Sequence, residues 1–514
     1  MKRITTILSI LSIASTGIMA QNTDDALRLS LTRPSGTARS ISLGDAMGAL
    51  GADYSGIGIN PAGIAVYRSS EFTFTPSLHL NQTSSDYYGY TGEEDKYSFP
   101  LQQIGYVATY KPMHETTSGL ISTHFAIGYS RNNSFKKNTF IQGNGIYSSL
   151  LDEFVYLADS LRNNQLGLIT GLAYDSYLMD PINSEAIDNP NISTGYYHAF
   201  EYLDADGNPQ WGPEEGINQR RLLTEKGNGG DFNLSFGANF SNAFYLGGTL
   251  GIATFNYKKE MQHYEEPTPS ETPWTYLENY TYKEKLNTSG LGINLKVGVI
   301  YKPTSSLRIG AAFHSPTYYS VDEEYSYHTY LPQGFSDYSG YDSPYGEYSY
   351  NFNTPYKVIG SAAYTFGNKG LISVDYEYAD YASMQFKSKE GSITDMKDTN
   401  SRNDQIKDTF RATHNIRVGG EYKPTETFSL RAGYGYFQSP YNKDYLNNDD
   451  RYQTFSGGFG YRMNNMFVDV AYRMRLEKNT YSLYYSESIP DENQEPATVT
   501  SKLHQIAVTL GWRF

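Results

Sequence analysis

The sequence predicts an all-β fold, a transmembrane antiparallel β-barrel of about 14 strands whose lumen is plugged by an N-terminal hatch of short helices. Three features of the chain predict it. A secretory signal opens the sequence, segments with alternating apolar and polar side chains recur along it, and the connections between these segments alternate between short and long. Together they favour export followed by insertion into an outer membrane.

The first residues have the three parts of a secretory signal. Lys2 and Arg3 precede the apolar run ITTILSILSIASTGIMA, and the polar run QNTDD follows it. We expect residues 1–20 to be removed by cleavage after Ala20. The alternative, a single membrane anchor, requires about 20 predominantly apolar residues, whereas this run is short and rich in Ser and Thr. No later run suits a helical span, which leaves a soluble exported protein or a barrel.

Composition narrows the class further. The chain of 514 residues has no cysteine, so neither disulfides nor a lipid-attachment cysteine are available. It carries 49 tyrosines and a net charge of −14. The acidic balance argues against a nucleic-acid partner, and tyrosine suits the two rims of a membrane barrel. No linker or change in composition divides the chain, so we predict one large unit.

The recurring segments have a period of two. In LISVDYEY, for example, apolar side chains fall on one face and Ser, Asp and Glu on the other. Alternation alone also fits a soluble sandwich whose apolar faces point inward. We predict strands of about ten residues on the barrel template, at 71–82, 100–111, 120–137, 229–240, 244–259, 286–302, 306–319, 353–366, 371–387, 412–423, 427–440, 451–462, 466–480 and 499–514.

The connections distinguish the barrel from the sandwich. The runs SNAF, KPTS, GNKG, KPTE and MNN form tight turns, and long loops rich in Tyr, Asp and Gly lie between them. The longest loop is predicted near 138–228. Short turns at one end and long loops at the other are typical of an outer-membrane barrel, with the short turns in the periplasm.

The last segment, HQIAVTLGWRF, ends on an aromatic residue in register with its apolar face. Such an end resembles the terminal signal that the barrel-assembly machinery reads, and we expect Phe514 to contact that machinery. An ordinary C-terminal edge strand is the alternative. Because about eight strands already suffice for an interior filled by side chains, the wider lumen predicted here needs a plug.

Residues 21–70 supply that plug, since they do not look like a strand. Gly44, Gly48 and Gly51 recur at helical spacing among apolar residues, which predicts a short helix packed closely against the wall. The Asn60-Pro61-Ala62-Gly63 sequence has the residues that a type I turn favours. We therefore predict a hatch at 21–70, joined by this turn to a barrel at 71–514. A periplasmic tail with a surface turn is the alternative.

The run SGTARSISLGDAMGALGADYSGIGINPAGIAVYRS resembles the N-terminal hatch of the FadL/TodX transporters of hydrocarbons and long-chain fatty acids, in the version found in Bacteroidetes-type bacteria. The core DYSGIGINPAG, from Asp53 to Gly63, is the most specific element. Further similarity is seen in GAAFHSPTYYSV, in NTPYKVIGSAAYTFGNKGLISVDYEYADYASM and in HNIRVGGEYKPTETFSLRAGYGYFQSPYN, so the resemblance covers most of the mature chain.

The resemblance implies a fourteen-stranded barrel with a hatch, in the bacterial outer membrane among its lipid and lipopolysaccharide. It also implies passive uptake of a hydrophobic small molecule such as a long-chain fatty acid. The cargo would enter a lumen pocket touched by the hatch and the N-terminus, and leave sideways near the third strand when the hatch rearranges. The chain departs from the family pattern in its very long loop near 138–228 and in outer loops rich in tyrosine and acidic residues.

Two sets of residues are predicted to carry this function. The hatch and gate residues are Asp53, Asn60, Pro61 and Gly63, chosen for backbone geometry. The candidates for a lateral opening are Gly128, Arg131, Asn132 and Asn133 in the third strand, where they would interrupt pairing. The alternative is a plain glycine in a strand that runs into a polar loop.

Charged residues are predicted to face the lumen. They either bind a carboxylate head group or pair across a wet interior, and for a barrel pairing is favoured. These residues are Asp375, Glu377, Arg417, Glu421, Arg431, Arg473 and Arg475.

The sequence gives little support for other functions. The nine histidines are scattered, so we predict neither a metal site nor a cofactor, although His314, His328 and His414 keep a haem receptor as an alternative. A general porin and a surface-binding barrel are further alternatives. There is no G-x-S-x-G, no H-E-x-x-H, no phosphate loop and no cysteine nucleophile, so we do not expect an enzyme.

Overall fold

A computed structural model of the chain describes residues 23–33, 35–112, 118–160, 166–183, 185, 194–335, 339–389, 393–487, 489–490 and 493–514. The predicted signal at 1–20 lies outside these residues. None of the helices within the described ranges has both the length and the apolar character needed to cross a membrane.

Fourteen antiparallel strands form a closed barrel, as predicted. Each pairs with the next, and the last pairs with the first from Glu71 opposite Arg513 to Asp86 opposite Thr498. Five of them are interrupted. The strands are β1 Glu71–Tyr87; β2 Tyr90–Ser98 and Leu101–Tyr110; β3 Leu120–Ser134 and Lys137–Ile146; β4 Ile217–Phe240; β5 Phe244–Pro267; β6 Tyr280–Tyr301; β7 Leu307–His314 and Tyr318–Tyr330; β8 Gly346–Asn353 and Lys357–Thr365; β9 Gly370–Asp380 and Gln385–Lys387; β10 Ala412–Tyr422; β11 Phe428–Phe437; β12 Tyr452–Met463; β13 Met466–Tyr481; and β14 Ala497–Arg513.

The alternating faces are oriented as a membrane barrel requires. In β9, Ile372 and Val374 are 49% and 40% exposed, whereas Ser373 and Asp375, which alternate with them, are fully buried. The same parity holds in the other strands, where the apolar side chains point away from the lumen. The structure therefore excludes the sandwich, in which these faces would pack against each other.

The tight turns predicted at the periplasmic end are confirmed. Between β4 and β5, Ser241 and Asn242 both have positive φ, 56° and 53°, as a type I′ hairpin turn requires. Asn464 between β12 and β13 also has positive φ. Strand ends at this side lie within a few residues of the predicted positions, because Gly, Asn and Pro mark them in the sequence.

The hatch lies inside the barrel as four short helical segments. They are α1 Thr23–Ser30, α2 Ala38–Ser42, α3 Tyr54–Ile57 and a 3₁₀ helix Pro61–Val66. Most of their side chains are buried. Tyr67 then continues in extended backbone towards β1.

The helix predicted from the spacing of Gly44, Gly48 and Gly51 is wrong, because α2 ends at Ser42 and turns follow. Gly44 and Gly51 have positive φ, 63° and 65°. A Cβ at Gly48 would lie 2.0 Å from the Ser361 hydroxyl oxygen. Glycine is thus required at Gly44 and Gly51 for left-handed turns and at Gly48 for close approach to the wall. The helix-like spacing of the three glycines is a coincidence.

The outer strands are longer than predicted. β4 begins at Ile217 and β5 ends at Pro267, so the long connection covers 147–216 and not 138–228. The run RRLLTEKGNGG in β4 lacks a clear apolar face, since a strand that extends beyond the membrane needs none. Pairing with β5 continues through this run without a break.

The long connection folds into an outer cap. It contains α4 Leu150–Ser160, α5 Leu168–Asp175 and two small ribbons, Met179–Pro181 with Tyr196–His198 and Glu201–Leu203 with Pro209–Trp211. A further helix, α6 Ile393–Thr409, lies between β9 and β10. The cap shares one apolar core with the outer ends of several strands. Its members include Tyr87, Leu151, Phe154, Leu172, Phe200, Ile217, Met261, Tyr280, Tyr327, Tyr484 and Val499.

Candidate functional site

Polar contacts tie the hatch to the wall on several sides. They use backbone groups and side chains of the turns between α2 and α3, together with inward-facing side chains of the strands. The contacts are Arg473 Nη1 to Asp45 Oδ2 at 2.7 Å, Gly48 N to Asp375 Oδ2 at 3.0 Å, Arg308 Nη1 to the Leu50 carbonyl oxygen at 2.5 Å, Ala38 N to Thr509 Oγ1 at 2.7 Å, and Arg39 Nε to Glu421 Oε2 at 3.7 Å.

Asp53 caps α3. Its Oδ1 accepts a hydrogen bond from the Ser55 backbone N–H at 3.0 Å and one from the Thr37 hydroxyl at 2.8 Å. Arg39 lies 3.9 Å from the other carboxylate oxygen. The carboxylate therefore joins α2 to α3, which agrees with a role in backbone geometry.

Asn60 joins the hatch to the wall. Its Nδ2 donates to the carbonyl oxygens of Gly48, at 2.7 Å, and of Val299 in β6, at 3.1 Å. Its Oδ1 accepts from the N–H of the second residue of the 3₁₀ helix, and Pro61 is the first residue of that helix. The predicted turn is present and continues as the helix.

Gly63 lies where two hatch segments meet. Its N–H donates to the Asn60 carbonyl oxygen at 2.9 Å, and its own carbonyl accepts from Ala52 at 3.0 Å. A Cβ here would lie 3.2 Å from Gly51 Cα. All four predicted hatch residues thus occupy one folded unit, while their part in gating stays a prediction.

Pairing continues through Gly128, the first of the residues predicted to interrupt β3. It pairs with Gly105 of β2 and with Asn233 of β4. A Cβ at this position would lie 2.5 Å from the hydroxyl oxygen of Tyr54 in α3. Gly128 thus makes room for the hatch, and the break in the wall lies elsewhere.

The break lies at Asn132. Asn133 pairs with Gly229 and Arg131 pairs with Gly230, so Asn132 is an extra residue opposite β4, a β-bulge. On the other edge of β3, the ladder with β2 ends where Gln103 opposes Ser130. These residues lie within the predicted opening.

Beyond the bulge the wall has a gap. No ladder joins the described segment Lys137–Ile146 of β3 to Tyr90–Ser98 of β2, although each pairs on its other edge. Side chains of β1 cover the carbonyls of β3 instead, and Thr83 Oγ1 donates to the Asn138 carbonyl oxygen at 2.5 Å. We call this region the β2–β3 gap.

The segment after α1 is bound to the bulge. We call residues 31–33 the strap. The Arg33 N–H donates to the Asn132 carbonyl oxygen at 2.7 Å, and Asn133 Nδ2 donates to the Leu31 carbonyl oxygen at 3.0 Å. The Arg33 guanidinium pairs with Glu477 of β13. The strap therefore satisfies a carbonyl that the bulge withdraws from the ladder.

A lumen cavity lies between the hatch and the wall. It reaches from Asn132 at the bulge to Pro355 in β8 on the opposite side, and its floor includes Gly58 and Ile59 of the hatch. Charged groups line it. They are Asp45, Arg131, Asp231, Lys296, Lys357, Glu377 and Arg417.

The two lysines of the cavity differ in their partners. Lys296 Nζ lies 2.8 Å from Asp231 Oδ2, in a close ion pair. Lys357 Nζ lies 4.0 Å from Glu377 and contacts the Thr32 hydroxyl of the strap. Lys357 therefore combines a loosely held ammonium group with contact to the N-terminal segment.

An aromatic chamber surrounds α1 above the cavity. Ala26, Leu27 and Leu29 pack in it, and the Arg28 guanidinium lies 4.1 Å from the centre of the Tyr257 ring. The walls of the chamber are Phe135, Phe255, Tyr257, Leu286, Tyr319, Val321, Tyr350, Phe352, Tyr381, Met384, Phe386, Ile406 and Phe410.

The charges predicted to face the lumen form pairs, as expected. Arg417 lies 2.9 Å from Glu377 and 3.6 Å from Asp375. Beneath the hatch these ion pairs are shielded from water, in contrast to the predicted wet interior, since Arg417 is 1% exposed. The other pairs are Arg431 with Glu421 and Asp469, Arg473 with Asp45, and Arg475 with Glu477.

The three histidines considered for haem lie apart. His314 faces the lumen and approaches the Ile59 carbonyl oxygen at 2.9 Å. His328 pairs with Asp342 near the outer end of β7. His414 lies on the outer face of β10 beside Tyr376. They do not form one site.

The described residues contain one group of histidine and carboxylates close enough for a metal, Asp152, His198 and Glu201 in the cap. His198 Nδ1 accepts a hydrogen bond from the Phe200 N–H at 3.2 Å. The proton of a neutral ring then sits on Nε2, which faces Asp152 Oδ1 at 3.2 Å. This arrangement fits a hydrogen-bonded pair, because a metal-bound histidine usually donates from its other ring nitrogen.

The sequence alone did not predict a functional role for the strap or for the two cavity lysines. Lys296 and Lys357 occupy inward positions of alternating strands, so the parity that marked Asp375 also marks them. Nothing local marks the strap, because its partners lie about a hundred positions further along the chain.

Comparison with known proteins agrees with this architecture. The family model described as outer membrane protein transport protein (OMPP1/FadL/TodX) matches residues 232–514. A 47 kDa outer membrane protein of Pasteurella multocida is 24% identical over 231 residues, or 43% of this chain. That match spans about half, 51%, of the relative.

Solved structures show the same fold. A FadL homologue of Pseudomonas aeruginosa has a TM-score of 0.53 at 12% identity, over 94% of this chain and all of that one. The Ralstonia pickettii toluene transporter TbuX has a TM-score of 0.50 at 12% identity, over 93% and 98%. With the family model matching more than half of the chain, this protein is an outer-membrane β-barrel that belongs to the OMPP1/FadL/TodX family.

Proposed function

We propose that this barrel takes up hydrophobic small molecules, long-chain fatty acids or similar compounds, by passive diffusion gated by the hatch, and releases them sideways into the membrane. The observation that carries the proposal is a lumen cavity bounded by hatch and strap, which reaches the wall at the bulged Asn132. The family match supports the general function.

The proposed path enters through the aromatic chamber. An acyl chain gains about 0.8 kcal/mol for each methylene removed from water, and the chamber offers that burial in the outer half of the lumen. α1 fills the chamber in this conformation. Cargo therefore needs α1 to move, which makes the N-terminal segment the first part of the gate.

The cavity below the chamber suits a polar head group. Its cations Lys296, Lys357, Arg131 and Arg417 face the anions Asp231, Glu377 and Asp45. Because Lys357 is more loosely paired than Lys296, it is the lysine better placed to bind a carboxylate. This lining favours a fatty acid over a pure hydrocarbon.

Release is proposed to occur at the inner end of the β2–β3 gap, beside the Asn132 bulge, because the outer part of the gap lies beyond the membrane. Strands that lack a ladder separate without breaking backbone hydrogen bonds, and here side chains of β1 bridge the gap. The strap connects gate and gap, since movement of α1 pulls on Asn132 and Asn133 through Leu31 and Arg33. Entry and release are thereby linked.

A general porin is less well supported. Porins need an open polar lumen, whereas the hatch, including α1, occupies this lumen. No described contact favours haem over other cargo, because the candidate histidines lie apart. An enzyme is not supported by the match to a family of transport proteins.

Deletion of Asn132 tests the proposal. It restores the register between β3 and β4, which closes the bulge and removes the acceptor of the strap. We expect uptake of radiolabelled oleate by cells expressing the variant to fall at least fivefold, with unchanged amounts of folded barrel. Asn132→Ser, which keeps the bulge, is the control and retains uptake. Normal uptake by the deletion variant would refute release at this gap.

A further inference from the structure

A second interruption of the wall lies across the barrel from the bulge. β7 breaks at 315–317, β8 at 354–356 and β9 at 381–384, in three neighbouring strands. Pro316 and Pro355 lie in the first two breaks and have no N–H to donate. We call this line of breaks the seam.

The strands at the seam are held by few groups. Regular pairing of β7 with β8 ends where His314 opposes Lys357 and resumes where Tyr318 opposes Asn353. Between these points Thr317 N donates to Thr354 Oγ1 at 2.8 Å, and Thr354 N donates to the Thr317 carbonyl oxygen at 3.1 Å.

Space lies on both sides of the seam. On the inner side the lumen cavity touches Thr317, Thr354 and Pro355. On the outer side a groove of about 540 Å³ lies against Leu291 and the residues around it. Tyr319 lines both.

Tyr319 is the residue between the two spaces. Its side chain is 7% exposed and packs in the aromatic chamber. Gly292 of β6 leaves room for the ring, since a Cβ there would lie 2.7 Å from Tyr319 Cδ1. With no side chain at Gly292 or Gly290, the ring lies directly over the β6 backbone, beside the methyl group of Thr317.

The outer groove has the chemistry of a site for a single acyl chain. Ile252, Leu291 and Ile293 form an apolar floor that faces lipid. Asn351, Asn353, Ser320 and Lys387 form a polar rim. The neighbouring Lys389 pairs with Asp322, whereas no ion pair joins Lys387 to a carboxylate of the described residues, so the ammonium group of Lys387 is available to an anionic head.

We propose that the seam is a second lateral portal, through which a single-chain carboxylate amphiphile passes between the lumen cavity and the outer groove when the Tyr319 ring moves aside. Lys357 inside and Lys387 outside place a cation on each side of the passage. The inference rests on the proposed function for the presence of cargo in the cavity, but it concerns a different part of the wall.

A reversible disulfide tests the portal, because the chain has no native cysteine. Thr317→Cys with Thr354→Cys closes the seam. Ala311→Cys with Gly360→Cys is the matched control, since these residues oppose each other in the unbroken part of the same two strands and a Cβ at Gly360 meets nothing within 4 Å. Both pairs are placed in the barrel lacking Asn132, where the bulge at the inner end of the β2–β3 gap is closed.

The probe is palmitate with a photoreactive diazirine, added to vesicles that contain the purified barrel. We expect labelling of the cavity-lining residues near Lys357 in the parent, a loss of at least fivefold with the seam disulfide, and recovery on reduction. The control disulfide leaves labelling unchanged. Lys387→Gln lowers labelling of the outer groove.

The outcomes separate the portal from the proposed function. If the cavity is labelled equally with the seam disulfide oxidised and with it reduced, the portal is overturned. This holds whether or not the barrel takes up oleate. Absence of cavity labelling in the barrel lacking Asn132, when the barrel with Asn132 is labelled, also overturns it and leaves release at the β2–β3 gap as the route. If no barrel imports oleate but the disulfide still controls labelling, the portal stands and the proposed uptake fails.

Discussion

At the scale of single residues, the hatch is held by positions that tolerate no larger side chain and by polar groups with several partners. Gly48 shows the first kind, with the Ser361 hydroxyl and the Asp375 carboxylate directly against it. Asn60 shows the second, since its amide donates to two carbonyls, one in the hatch and one in the wall. The sequence marked Asn60 through its proline, whereas it suggested a wrong reason for Gly48.

Gly48→Ala is expected to loosen the hatch. The added methyl group would lie 2.0 Å from Ser361 Oγ, and overpacking of this kind costs about 1–3 kcal/mol. Thermal unfolding of the purified barrel, followed by its heat-dependent mobility on a gel, should begin at a lower temperature. Gly360→Ala on the outer face is the control and leaves the midpoint unchanged. An unchanged midpoint in Gly48→Ala would mean that the hatch is not packed as described.

At the scale of elements, the cap, the strap and the interrupted strands carry most of what distinguishes this barrel. α4 of the cap contains Glu153, whose pKa is raised to about 7 by burial, with Glu284 adding to the rise and Arg221 opposing it. A carboxylate with a raised pKa is destabilised in its charged form. The cap therefore has a pH dependence of its own.

The closed cap is expected to weaken as pH rises. Below the ordinary pKa of 4.5, Glu153 is protonated whether the cap is open or closed, so it has no effect. Between pH 4.5 and about 7 the open cap releases the proton first, and stability of the closed form falls. Hydrogen exchange of the α4 amides, corrected for the intrinsic pH effect, should show lower protection at pH 8 than at pH 5.5.

The variant Glu153→Gln has no titrating group at this position and should give the same protection at both values of pH. If the wild-type protein already shows equal protection, the carboxyl group is better solvated than its surroundings indicate, and the pH effect is absent.

At the scale of the whole molecule, the barrel and the hatch have separate sources of stability. The wall closes through β1 and β14 over most of their length, and no hatch residue takes part in that ladder. The hatch in turn depends on the wall for burial, because its helices are too short to be stable alone. Removal of the hatch should leave a barrel whose wall is still closed by β1 and β14 but whose lumen is no longer filled by the hatch.

Deletion of residues 23–66 is expected to convert the barrel into a pore. In planar bilayers its ion conductance should exceed that of the intact protein at least tenfold, because the hatch and α1 no longer fill the lumen. Arg28→Ala, which keeps α1, is the control with low conductance. A deletion variant that folds but stays closed would show that the cap alone seals the mouth.

The sequence by itself determined the barrel, its strand number, the direction of its apolar faces and the end that bears the short turns. These follow from local chemistry, since lipid and lumen alternate along each strand with a period of two and tight turns require Gly, Asn or Pro. It also predicted an interruption of pairing at the polar run that holds Arg131, Asn132 and Asn133, where β3 has its bulge. A lateral opening there stays a proposal.

Only the tertiary structure decided which of those residues breaks the ladder, how far the outer strands extend, and what fills the lumen. Each of these depends on partners far along the chain. Asn132 becomes a bulge because β4 pairs on either side of it, and its carbonyl is satisfied by Arg33. α1 is buried by aromatic residues of five strands and by Ile406 of α6. Alternation within one strand carries no record of such contacts, since hydrogen bonding and packing between distant segments are fixed only when the barrel closes.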